Sequence, residues 1–159
     1  MMAVCSFLGH RHIYGHDVQL RLQAAVNHLV EENDSVEFLL YLWKSTEPFY
    51  ALCLLAALRA KQCAPQKVTL TLVADRLELE QRLADKWTHP LFFIADRLLP
   101  LSVSKDRNPL KVLKRTVQWM VKQSTHVING FYEDLFDRMI SSLIPQGMLE
   151  FRSSMSQHQ

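Results

Sequence analysis

Short runs that are apolar at nearly every position alternate, along this chain, with segments whose apolar residues keep helical spacing. The clearest run is 36–43 (VEFLLYLW), in which only Glu37 is charged. A strand with one wet face alternates polar and apolar residues, whereas a strand apolar throughout is covered on both faces. The runs 3–8 (AVCSFL), 67–74 (KVTLTLVA), 91–95 (LFFIA) and 126–129 (HVIN) read the same way, and a short last strand is expected at 148–151. Between them, Val18, Leu22, Ala25, Val26 and Leu29 recur at helical spacing up to Glu32. The segment 47–61 is apolar almost all round, so its helix must be enclosed by other elements. A more polar helix is expected over 75–83. Leu110, Leu113, Val117 and Met120 make a stripe over 109–124, and Leu135, Met139, Ile140 and Leu143 make another over 132–144. Residues 98–108 read as irregular and 153–159 as a polar tail. Strands and helices in this alternation predict right-handed βαβ units. The expected fold is therefore α/β, a single Rossmann-like three-layer domain with a mostly parallel sheet over 1–152.

The breaks carry their own signals. Asp17 and Asp75 are placed to cap the first and third helices, and Ser45 or Thr46 the second, with Pro48 in its first turn. Gly130 is expected to stop the fifth strand.

Composition supports a packed domain: 159 residues, 48% apolar and 21% charged. The net charge of +2 names no polyanionic partner. Four glycines exclude a glycine-rich nucleotide loop of the usual kind. Cys5, Cys53 and Cys63 form no CxxC pair, so reduced thiols in a cytoplasmic protein are expected, two of them buried. The start of the chain lacks the basic segment of a signal peptide. The longest nearly uncharged apolar stretch, 48–58, falls short of the ~20 residues that a membrane span needs.

In open parallel sheets, ligands bind beyond the carboxyl ends of the strands, where strand order reverses. That rule points to the loops 9–16, 43–47 and 129–133. Gly9 allows close approach of a ligand, and His10 and Arg11 follow it; the Arg11 guanidinium suits a phosphate or carboxylate. Arg11 could instead pair with Glu133 or Asp134. Lys44, Ser45 and Thr46 resemble the end of a phosphate loop without its glycines, so helix capping is the simpler role for the hydroxyls. Asn129 flanks the same crevice, and Glu47 is the one acid suspected there.

Other constellations are weaker. His10, His12 and His16 match no standard metal spacing, and no metal site or cofactor is expected. Trp43, Trp87 and Trp119 suit packing better than base stacking. Lys105, Arg107, Lys111, Lys114, Arg115 and Lys122 form a basic stretch broken by Asp106, without interleaved aromatic residues. A solvated helix face is its default role and nucleic acid is not the expected partner. No GxSxG or HExxH motif is present, and no catalytic residue is assigned.

The strand followed by Gly9-His10-Arg11 resembles the opening of the YpsA-like branch of the SLOG superfamily. These are Rossmann-like proteins related to the LOG phosphoribohydrolases and to the DNA-processing protein DprA. The segment from Trp119-Met120-Val121 through Ser124 to Val127-Ile128 is similar to that branch's late helix, Trp-Met pair and following strand. The resemblance implies the family's fold without its phosphate cradle. Trp43-Lys44-Ser45-Thr46-Glu47-Pro48 replaces the family's glycine-rich turn after the second strand, and its Arg-Asn pair falls on Thr116 and Val117. Asn129-Gly130-Phe131-Tyr132 has one glycine where relatives often have two, and the PGGxGT motif of the LOG enzymes is absent. The expected function is non-catalytic binding of a nucleotide-derived or other anionic small ligand by Gly9, His10, Arg11, Lys44, Ser45, Thr46 and Asn129. The alternatives are a ligand-free module that works through protein contacts or as a homo-oligomer, and weak nucleic-acid binding through the basic helix 109–124.

Overall fold

The structure is a computed structural model that describes residues 2–9, 14–42, 47–84, 94–103, 105–131, 142 and 150–152. Strands and helices alternate through it: β1 (Met2–Gly9), α1 (His16–Glu32), β2 (Ser35–Tyr41), α2 (Pro48–Cys63), β3 (Val68–Asp75), α3 (Arg76–Ala84), β4 (Arg97–Leu101), α4 (Pro109–Gln123), β5 (His126–Phe131) and β6 (Glu150–Arg152). The described strands form one sheet in the order β4-β3-β2-β1-β5-β6. Every pairing in it is parallel. The α/β Rossmann-like class is therefore as expected.

The pleat divides the strand side chains between two cores. On one face Cys5, Phe7, Phe38, Leu40, Leu70 and Leu72 pack against α1, α2 and Leu79 of α3. Phe7 and Phe38 stack at the centre, with ring centroids 5.4 Å apart. On the other face Leu8, Leu39, Tyr41, Val73 and Val127 pack against Val117, Met120 and Val121 of α4. The helices change face when the chain, having laid β1 to β4 outward in one direction, returns to the far side of β1 for β5. Right-handed crossovers require that change.

α2 shows why an all-round apolar helix is tolerated here. Cys53, Ala56, Ala57 and Ala60 are buried small residues that let it lie close to α1 and the sheet. Gln23 of α1 donates from Nε2 to the Ala56 carbonyl, 3.2 Å away, across that seam.

Several boundaries depart from the sequence reading. Residues 98–101, within the stretch expected to be irregular, belong to β4, which pairs with β3, and residues 91–93 of the strand expected at 91–95 lie outside the described residues. Pro100 hides β4 in the sequence because proline cannot donate to a ladder, but β4 is an edge strand, where that loss is tolerated. β5 continues through Gly130 to Phe131 instead of stopping at the glycine. α1 is capped at Gly15, whose φ of 119° is a glycine conformation, and Asp17 sits in the first turn instead. The N-cap of α2 is Glu47 rather than Ser45 or Thr46, and its side chain does not cap. The buried stripe of α4 is Val112, Thr116, Val117, Met120 and Val121, while Leu110 is exposed. The helix expected over 132–144 lies outside the described residues but for residue 142.

Candidate functional site

Strand order reverses between β1 and β5. Their register pairs Leu8 with Asn129 and Gly9 with Gly130, so the two strands finish level at their carboxyl ends. Gly9 and Asn129 are therefore neighbours on adjacent strands. His10, Arg11, Lys44, Ser45 and Thr46 lie outside the described residues, as do Glu133 and Asp134.

Gly9 is engaged by the chain's own aromatic residues. A Cβ on Gly9 would run into the edge of the Phe49 ring and would lie 2.7 Å from the Gly130 carbonyl oxygen. Phe49 is fully buried. The Gly9 amide donates to the Tyr50 hydroxyl at 3.0 Å. Pro48 starts α2 immediately before this pair, and the two rings meet edge to face at 5.7 Å. The bare backbone of Gly9 is thus used to seat the first turn of α2. Asn129 is buried on the opposite face of the sheet, the one covered by α4.

A polar cluster that the sequence did not signal lies at the ends of β2 and β3. Asp75, the last residue of β3, is buried and accepts from the Glu78 amide at 3.2 Å, which starts α3 as expected of a cap. It also accepts two hydrogen bonds from the Arg107 guanidinium, at 2.6 and 3.3 Å. Burial opposes ionisation of Asp75, but the Arg107 and backbone hydrogen bonds outweigh it and hold the carboxyl below its usual range. The same pairing raises Arg107. Tyr41, at the end of β2, is pushed up by burial and by the nearby charges of Glu78 and Asp75, although Thr116 hydrogen-bonds it. Arg107 had counted as one more cation of the basic stretch. What could have distinguished it is its place just ahead of the helix-opening Asn108-Pro109, where a side chain reaches back over the strand ends.

A second buried acid breaks the apolar pattern of β2. Glu37 accepts from Thr71 Oγ1 at 2.5 Å and from Arg97 at 2.9 Å. This line of three groups crosses β2, β3 and β4 and satisfies the carboxylate within the sheet.

The rest of the basic stretch is exposed. Lys111, Lys114, Arg115 and Lys122 lie on the solvent side of α4, and Lys111 pairs with Asp106 at 2.7 Å. Trp119 is half-buried and packs against the core beneath α4. Among the described residues, no group of His, Cys, Asp and Glu is arranged to hold a metal ion, and no helix is long and apolar enough to cross a membrane. No protein-family model matches the sequence, and no curated protein matches it.

Proposed function

We propose that this chain is a Rossmann-like module of the SLOG type that binds, without chemistry, a nucleotide-derived or other anionic small ligand in the crevice between the ends of β1 and β5. The observation that carries this reading is the reversal of strand order there, with Gly9 paired to Gly130 and Asn129 beside them. Open parallel sheets take their ligands at that place. Arg11, two residues beyond Gly9 in the sequence, supplies the cation. The first turn of α1 begins after the same loop and adds favourable potential for an anion. The Gly9 amide is held by Tyr50, so the anion depends on Arg11 and not on that backbone donor.

The test is thermal denaturation against a panel of nucleotides and nucleotide sugars. At least one should raise the melting temperature, and Arg11→Ala should abolish the rise while leaving the unliganded melting temperature unchanged. A panel without effect overturns the reading.

A second reading has its own observation. Phe49 and Tyr50 occupy one side of the β1 end, as in a module that has closed its crevice and works by self-association. Light scattering that shows a dimer unresponsive to nucleotides favours this reading; a monomer that they stabilise favours the first.

A further inference from the structure

We propose that a groove along the first turns of α4 is a separate binding site for a small, multiply charged, phosphate-bearing anion. Lys111, Lys114, Arg115 and Gln118 recur at helical spacing, so they share one side of the helix. With Asp106 they line a cavity of about 320 Å³. Ligand pockets run from about 300 to 1,000 Å³, so this one suits a compact ligand. From Lys111 to Gln118 the helix rises roughly 10 Å, enough to line up more than one phosphate group.

Charge is concentrated here. α4 carries Lys111, Lys114, Arg115 and Lys122 and no carboxylate, a charge of +4, although the whole chain has a net charge of only +2. The remainder of the protein is therefore at −2. Lys111 stands in the first turn, where the helix dipole favours an acid, and no acid is present in that turn. The Asn108 side chain satisfies the Leu110 and Lys111 amides, and among the described residues Asp106 supplies the one carboxylate of the groove, bound to Lys111. Among the described residues, Lys114 and Arg115 form no hydrogen bond or ion pair. The groove therefore holds two uncommitted cations and a third engaged by an exposed carboxylate that a phosphate can displace. Arg107, next in sequence to Asp106, is turned to Asp75 and does not join them.

The lining also selects the class of ligand. Among the described residues no aromatic side chain lines the cavity, and the lining offers a nucleobase no stacking partner. The site reads phosphate, whether free or at the end of a nucleotide, and the assay separates those sources.

Titration calorimetry of the full chain at low salt, with inorganic triphosphate and separately with ATP, tests the proposal. Triphosphate should bind the groove in Arg11→Ala, which lacks the crevice cation, as in the wild type, with an affinity that falls steeply as salt is added. ATP binding no more tightly means that the phosphates alone are read; tighter binding of ATP at the same site makes a nucleotide the source. Lys114→Glu with Arg115→Glu should weaken triphosphate binding by about tenfold or more, since each charge-assisted contact is lost and then reversed. Asp106→Asn should tighten it, and Lys122→Glu, beyond the groove, should change it little. Circular dichroism confirms that the variants are folded. Absence of triphosphate binding overturns the proposal, as does binding to Arg11→Ala that survives addition of the double charge reversal. Triphosphate binding lost in Arg11→Ala but kept in the α4 double variant places the anion in the crevice and also overturns it. An oligonucleotide that binds where triphosphate does not has the same consequence.

Discussion

Cys5 and Cys53 are buried in the core beneath α1 and α2. Burial pushes both thiols up, Cys5 to about 12, so neither supplies thiolate at neutral pH. Cys63, the last residue of α2, is exposed. A chromogenic disulfide reagent should therefore titrate one thiol per native chain quickly and the other two only after denaturant is added. Two rapidly reacting thiols in the native protein contradict this packing. Asp75 makes a different residue-scale prediction. Its carboxyl is held below the usual range, so its ionised form stabilises the fold above the unfolded value of about 3.9, and that stability is lost as pH falls through the lower folded value. Asp75→Asn should cost about 2 kcal/mol at neutral pH, because it strands the Arg107 guanidinium and weakens the cap of α3. Urea titrations at pH 7 and pH 3 measure this, and the difference between wild type and variant should narrow in acid. An equal difference at both pH values excludes the ion pair as its source.

Where α2 meets β1, glycine is required by a ring. Gly9→Ala should destabilise by roughly 1–3 kcal/mol, because the new methyl meets Phe49 and the Gly130 carbonyl in a packed core. Combining it with Phe49→Leu should recover part of that loss in denaturant titrations, since the two positions are in contact. Strictly additive effects break the argument. This contact also marks how far sequence alone could reach. The strands apolar on both faces announced a covered parallel sheet, because burial on two sides removes the alternation that a wet face imposes. That Gly9 and Asn129 fall on adjacent strands follows from topology, although β5 runs two residues past Asn129. That Phe49 rests on Gly9 was not legible, because it depends on the direction in which α2 enters the sheet. β4 was missed because Pro100 carries the same signal in an edge strand as in a loop. On α4, Leu110 looked like core at helical spacing, yet the buried face turned out to run through Val112 and Thr116. Thr116 is polar, and it reaches the interior by donating its hydroxyl to the Val112 carbonyl at 2.8 Å, a local bond that residue type does not announce.

At the scale of the whole molecule, a crevice ligand should stabilise the domain as a unit. One present at a hundredfold excess over its dissociation constant contributes about 2.7 kcal/mol. For a chain of this size that raises the melting temperature by roughly 5–10 °C, the scale on which the nucleotide panel should be judged. The sheet order has one more consequence. β1 lies in the interior of the sheet, yet one of its two partners is some 121 residues away along the chain, as the Val4–Thr125 hydrogen bond shows. At about 5–20 residues per second, a ribosome takes roughly 6–24 s to cover that interval. Throughout it, the nascent protein carries an unzipped seam at what will become its middle, and chaperones have that long to guard it.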